Sequence, residues 1–228
     1  LPETPKRFLR LEIGVRIQQS TSDLFLNSKF QTDPKLILKG KNDLEYRTFC
    51  CCRNGEVVTI PTGDIRTVSG RGDCEISGFS NVGLNLRIEN EAYGTVVWKN
   101  IFKSLQSDSH KFPIKEYWES FIDTGNSRAR PTSAIAKFFG PDIADHMAHG
   151  LSQFQQSLSI NSQSATLVAP TVEAVAFYPK IDNNLKVLPY PLWIAGDSTG
   201  VFRGLTASLV SGYYAANQAA RFLEINKR

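Results

Sequence analysis

The sequence predicts an α+β protein, and three observations carry that expectation. Alternating and β-branched runs fill roughly the first ninety residues, and helical periodicity takes over to about residue 158. An apolar run then leads into a glycine-rich turn and a helix of small residues at the end of the chain. With 228 residues there is room for one large domain, or for one domain and part of another.

Taken in order, Leu9 to Gln18 alternates apolar and polar residues and predicts a half-buried strand. Residues 20 to 30 read as an irregular or short helical excursion. Leu36 to Leu38 and Tyr46 to Cys52 predict strands about a polar turn at residues 39–43. Asn54-Gly55, between strand-like runs, predicts a hairpin over Cys50 to Pro61. Further strands are expected at Ile65 to Val68, Glu75 to Ile76 and Leu84 to Ile88.

Near Gly94 the pattern becomes helical, with Val96, Val97, Ile101 and Leu105 at helical spacing. Tyr117 to Phe121 predicts a helical turn, and Thr132 to Phe139 a short helix. Pro141 to Leu158 predicts a longer helix, with Ile143, Met147, Leu151, Phe154 and Leu158 on one face. Its leading proline suits a first turn, where the missing N–H has no partner to lose. Ala165 to Ala169, Val172 to Tyr178 and Leu192 to Ala195 then predict strands, and Gly204 to Leu223 the last helix.

Composition narrows the class. A hydrophobic fraction of 41% with 21% charged residues excludes disordered and fibrous chains. The net charge of +4 is spread without a run of five basic residues, so neither nucleic acid nor a membrane surface is expected as a partner. Apolar runs such as Leu192 to Ala195 are far too short to span a bilayer. The opening residues have no initiating Met and no apolar stretch behind a basic head. The expectation is therefore a cytoplasmic protein, with residue 1 inside a longer polypeptide.

Cys50, Cys51, Cys52 and Cys74 are the four cysteines. Neighbouring side chains in an extended triplet diverge, which argues against ordinary disulfides among them. The spacing is not that of a zinc or iron–sulfur site. In a strand Cys50 and Cys52 share one face and Cys51 points to the other. They read either as small core residues or as residues facing a cofactor. His146 and His149, three apart on one helix, read as helix surface rather than as metal ligands, and His110 stands apart. The Arg71-Gly72-Asp73 tripeptide is too short to imply adhesion, and no metal site is expected.

The chemistry is expected at the C-terminus. An apolar strand ending in Gly196-Asp197 delivers the carboxylate to a sheet end, where open α/β folds bind ligands. Gly200 and Gly204, with Gly196, let backbone approach a ligand closely. The helix after them points its free N–H groups and positive dipole end at the same place. Asp197 has two readings, as an acceptor for ligand hydroxyls and as a plain helix cap. Arg203 likewise reads as a phosphate or substrate-anion contact or as a solvated arginine.

Ile194 to Ala216 (IAGDSTGVFRGLTASLVSGYYAA) resembles the closing motif of two-dinucleotide-fold flavoproteins, and more narrowly that of the bacterial NAD(FAD)-utilizing dehydrogenases. The segment from Cys50 to Val58 resembles that family's C-x-C-P-G-G-x-V-V, with Arg53 in place of proline and Asn54 in place of the first glycine. Ile13-Gly14-Val15-Arg16 resembles the strand by which the family enters its substrate domain.

The resemblance implies an FAD-dependent oxidoreductase with a small-molecule substrate. Gly196, Asp197, Gly200, Arg203, Gly204, Leu205 and Thr206 would bind the cofactor, and of the two readings of Cys50 and Cys52 the cofactor-facing one would turn Cys50 or Cys52 toward the flavin. It implies a linker strand over residues 1–14 and a mixed β substrate or cap domain with a helical segment over 15–185. Residues 186–228 would be the last strand–loop–helix of the α/β flavin domain. The G-x-G-x-x-G fingerprint is missing, and Gly70-Arg71-Gly72 does not supply it. The N-terminal flavin-binding part of the same polypeptide would then be the main partner, and residues 1–228 alone would bind FAD weakly or not at all. Two readings of other classes stand beside this one: a non-catalytic binding module on a flavoprotein-like fold, and a cysteine-based redox or metal protein.

Overall fold

In a computed structural model, residues 3–23, 33, 35–40, 44–62, 65–106, 112–122 and 133–225 are described, and the fold is α+β with 35% helix and 38% strand. The first alternating run becomes β1 (Lys6–Ser20), longer than its periodicity suggests. It is followed by β2 (Ile37–Lys39), β3 (Glu45–Cys52), β4 (Glu56–Thr62), β5 (Ile65–Arg71) and β6 (Phe79–Ile88). Then come α1 (Glu91–Leu105), β7 (Ile114–Tyr117), α2 (Trp118–Ile122), α3 (Ala134–Phe139) and α4 (Pro141–Ser157). β8 (Thr166–Pro179), β9 (Lys186–Val187), β10 (Leu192–Trp193) and α5 (Leu205–Ile225) complete the order.

Two compact units result: Leu11–Glu173, and Leu1–Arg10 together with Ala174–Arg228. β1 and β8 each carry the chain from one unit into the other.

The larger unit is built on a sheet in the order β2-β3-β6-β1-β8-β7. β1 and β6 pair antiparallel from Leu11↔Ile88 to Ser20↔Phe79, nearly seventy residues apart in sequence on average. Leu11, Ile13, Val15 and Ile17 are thereby set beside Ile88, Leu86, Leu84 and Val82, and all eight are buried. Tyr46 extends this row from β3, opposite Leu86. Helix α4 closes on it: Gly150 lies so near the Tyr46 ring that a Cβ there would come within 2.6 Å. The predicted stripe of α4 is the buried one, with Ile143, Met147, Leu151 and Phe154 inside and Leu158 just beyond the helix end. On α1, Val97, Ile101 and Leu105 are buried but Val96 is exposed.

Contrary to the half-buried strand expected from alternation, both faces of β1 are covered. Glu12 and Arg16 are as buried as their apolar neighbours, and so are Asn81 and Asn85 on β6. Buried polar groups are for the most part hydrogen-bonded. Arg47 and Arg87 each lie 3.6 Å from the Glu12 carboxylate, and Thr171 donates to Asn85 Oδ1 at 2.9 Å. Periodicity reports side-chain type, and here a polar face is buried because its members bond one another.

The hairpin predicted at Asn54-Gly55 is corrected. The turn is there, with Asn54 at φ +52°, but β4 pairs along its whole length with β5. A two-residue hairpin turn of type I′ needs positive φ at both central residues, and Gly55 does not adopt it. β3 instead pairs with β2 and β6.

Glu75 and Ile76 form no strand, and Ile76 is exposed. The two strands expected about Pro170 are one, because burial of Leu167, Val168, Ala169, Thr171 and Ala174 holds the backbone extended through it. Most of the excursion expected over residues 20–30 lies outside the described residues, as do Thr132 and His110.

Helix ends obey local chemistry. Asn90 caps α1 by accepting from Tyr93 N at 2.9 Å, and Ser133 caps α3 by accepting from Ala136 N at 2.9 Å. The Glu116 carboxylate adds bonds from Ala134 N and Ile135 N, placing a negative charge at the positive end of that short helix. None of the described helices is long and apolar enough to cross a membrane.

Candidate functional site

The predicted C-terminal residues lie in the smaller unit. The apolar run Leu192 to Ala195 is not a full strand in a parallel sheet. Only Leu192 and Trp193 form a ladder, antiparallel to Val187 and Lys186. Ile194 N adds one bond to Leu185 O at 3.1 Å, and Ala195 stays extended without a ladder partner. Trp193 is anchored to α5 by the Phe222 ring at 5.3 Å, with the Lys186 ammonium 4.5 Å from the Phe222 centroid.

Gly196 opens a 3₁₀ turn, Gly196–Thr199, at φ +65°. Thr199, fully buried, organises the residues on either side of it. Its hydroxyl donates to Gly196 O at 2.7 Å and accepts from Val201 N at 3.1 Å. Ser211 on α5 accepts from Gly196 N at 2.8 Å, tying turn to helix.

The three glycines do different work. At Gly200, with φ +75°, a Cβ would lie 2.6 Å from Leu9 Cδ1 and 2.7 Å from Tyr178 Cγ. Its missing side chain makes room for Leu9 and Tyr178. Arg10 fastens the same residue by donating to Gly200 O at 2.9 Å. Gly204, with φ +90°, has open space where its Cβ would be. Gly196 is intermediate, with Ser208 Oγ at 3.3 Å from the same position.

Asp197, the second residue of that turn, makes no capping bond to it. Its carboxylate, 62% exposed, sits 2.9 Å from Arg203 Nε, so the two predicted ligand residues are brought together as an ion pair. Beside them burial holds the Tyr178 hydroxyl above its ordinary pKa, opposed by the bond from Val175 N. Gly204, Leu205 and Thr206 are exposed at the start of α5.

The apolar residues of α5 are exposed to an unusual degree. Leu205 is 87% exposed, Leu209 75% and Tyr213 76%, while only Ser211 and Ala215 are buried along 21 residues. An apolar stripe of this kind ordinarily faces a core or a partner.

The second candidate region is in the larger unit, where β3 meets β6. Pairing is regular to Phe49↔Gly83, then slips before Cys52↔Asn81. Cys50 absorbs the slip at φ +47°, a left-handed conformation that costs a non-glycine residue about 1–2 kcal/mol. The Cys50 and Cys52 sulfurs are brought to 3.7 Å, whereas an extended triplet would hold them apart. Cys50 is exposed and Cys52 buried, and all four cysteines are free.

Arg16, read from sequence only as part of a strand motif, reaches this pair from β1. Its guanidinium donates to Cys50 O at 2.6 Å and lies 3.7 Å from Cys52 Sγ. Nε donates to Asn81 Oδ1 at 2.9 Å, and Nη2 bonds the same oxygen. The Phe49 ring lies 5.5 Å below, in space that Gly83 leaves open. Arg16 Nη1 and Asn81 Nδ2 are buried and unbonded among the described residues. The Cys52 thiol, donating to the Cys50 sulfur, pulls the Cys50 pKa down to about 5, with Arg16 helping and burial opposing. The same bond and burial push Cys52 up. Cys51 is raised by burial, and its backbone N–H donates to Asp33. Asn81 carries no sequence signal, because its role depends on the slipped register.

His146 lies 3.8 Å from Asp142 and 3.5 Å from the Tyr46 hydroxyl, and His149 bonds Gln153 at 3.0 Å. Among the described residues no group of three metal-ligating side chains converges. No protein-family model and no curated protein matches this chain.

Proposed function

We propose that the chain supplies the substrate domain and the closing cofactor segment of an FAD-dependent oxidoreductase. One observation carries the reading. The resembling segment folds as a glycine-rich turn with three left-handed glycines, followed by a helix whose start and apolar stripe are both uncovered. A turn meant only to reverse the chain has no need of Leu205, Leu209 and Tyr213 at the surface.

The residues fit a flavin unequally. Asp197 is exposed and offers carboxylate oxygens to ribityl hydroxyls, while Arg203 keeps it oriented. Gly204, Leu205 and Thr206 present backbone at the positive end of α5, suited to the pyrimidine edge where negative charge gathers on reduction. Gly196 and Gly200 shape the turn from within. When bound, FAD would supply the hydride chemistry, and the protein would bind and orient. The larger unit would select a small-molecule substrate. Most adenosine and pyrophosphate contacts would come from another part of the same polypeptide, whose surface the α5 stripe would also cover.

The test is the visible absorption spectrum of the parent polypeptide with all flanking sequence. Flavin bands that are lost or weakened in Asp197→Ala support the proposal. A colourless protein that ignores added FAD overturns it and leaves a non-catalytic binding module as the better reading.

A further inference from the structure

We propose that Cys50 and Cys52 are a redox-active dithiol that exchanges with external disulfides, Cys50 as the attacking sulfur, Cys52 as the resolving sulfur and Arg16 as the positioning residue. The geometry is specific. The sulfurs are 3.7 Å apart, already in contact, and a disulfide bond of about 2.05 Å asks them to close by less than the length of that bond. The attacking sulfur is at the surface and the resolving sulfur is inside, which is the order the reaction needs.

A buried cation stands beside both. No carboxylate pairs with Arg16 among the described residues, and one of its nitrogens is left unbonded. Room for it is built in: a Cβ at Gly70 would overlap the guanidinium and come within 2.7 Å of Cys52 Sγ. Two cysteines that served packing alone would not require an exposed sulfur, a left-handed backbone and an arginine at once.

In the reaction the Cys50 thiolate attacks one sulfur of a disulfide RS–SR. A Cys50–SR bond forms and RS⁻ leaves. Cys52 then loses its proton and attacks Cys50 Sγ, forming the Cys50–Cys52 disulfide and expelling the second RS⁻. The cysteine pair is oxidised by two electrons and RS–SR is reduced; the Cys52 proton and one proton from water, where Cys50 left its own, end on two RSH. A ring spanning a single intervening residue keeps such a disulfide reducible, so the pair cycles rather than locking the fold. Among the described residues, Cys52, Arg16, Asp33 and the neighbouring Cys51 are the charged or titratable groups that act on Cys50. Cys52 and Arg16 outweigh burial and the Asp33 carboxylate, and the Cys50 pKa is held down to about 5. None of this requires a flavin.

The experiment uses the whole chain without flavin, equilibrated with mixtures of reduced and oxidised glutathione, quenched in acid, alkylated with iodoacetamide and cut with trypsin. The expected product is the peptide of residues 48–53 lacking two hydrogens and carrying one label, on Cys51. Cys52→Ser should trap glutathione on Cys50, and Cys50→Ser should abolish the disulfide. The rate of Cys50 alkylation should hold down to a pH of about 5. Arg16→Gln should move that midpoint upward without changing the rate at Cys74, and Arg16→Lys should restore most of it. Three labels on the peptide at every glutathione ratio, or a Cys50 profile no different from that of Cys51, overturns the proposal. Because flavin is absent throughout, failure here leaves the flavoprotein reading standing, and the reverse holds as well.

Discussion

Replacing Gly200 by alanine separates two reasons for a glycine, packing and backbone conformation. At φ +75° an alanine carries a left-handed strain of about 1–2 kcal/mol. Its methyl would also sit 2.6 Å from Leu9 Cδ1 and 2.7 Å from Tyr178 Cγ, well inside van der Waals contact. Tyr178 is itself buried, and overpacking of this kind costs about 1–3 kcal/mol. Gly204→Ala is the matched control, since φ there is +90° and nothing lies within 4 Å of the added carbon. Both variants share the backbone strain and the lost flexibility of the unfolded chain, which offsets about 0.4–1 kcal/mol. Their difference therefore isolates packing, and Gly200→Ala should be the less stable by about 1–3 kcal/mol.

In urea unfolding followed by circular dichroism, that difference appears as a lower midpoint at unchanged slope. In thermal melts it is about 2–12 °C, at about 2–4 °C per kcal/mol for a chain of this size. Equal stabilities for the two variants would show that Leu9 and Tyr178 move aside freely, and the assignment of Gly200 to internal packing would fail. If Gly204→Ala is nearly as stable as the wild type yet weakens FAD binding by the parent polypeptide, Gly204 is the glycine that serves the ligand.

Other expectations are as specific. Asp197→Ala removes a largely exposed ion pair and should change stability by no more than about 1 kcal/mol, while flavin affinity in the parent falls about tenfold or more with the loss of a charged acceptor. Phe154→Ala empties a buried position on α4 and should cost about 3–5 kcal/mol in denaturant unfolding. Stability should rise with pH between about 5 and the ordinary thiol value of 9.0, because Cys50 is ionised in the folded chain and protonated in the unfolded one. Its contribution is lost as pH falls through the folded value, so Cys50→Ser should flatten the rise, and an unchanged slope would place the sulfur in an ordinary environment.

The local code of this chain is strong where one element suffices. Pro141 starts α4 and five apolar residues at helical steps end up buried, because a helix stripe is set by spacing alone. Asn90 and Ser133 cap their helices through contacts three residues away. The Gly196-Asp197 turn and the helix after it are legible for the same reason, as is the α+β class itself. Sequence alone does not decide which strands become neighbours. β1 and β6 pair across nearly seventy residues on average, and that pairing buries Arg16 and Asn81 on a face that alternation assigns to solvent. β4 pairs with β5 and not with β3, and Gly55 stays out of the left-handed conformation that a type I′ hairpin turn would give it. The cysteines show the division best. Their side-by-side faces come from strand periodicity, but their 3.7 Å approach comes from a register slip that only the paired strand imposes. Spacing along the chain sets what a residue can face, and long-range pairing, whose closure entropy no short segment reveals, sets what it meets.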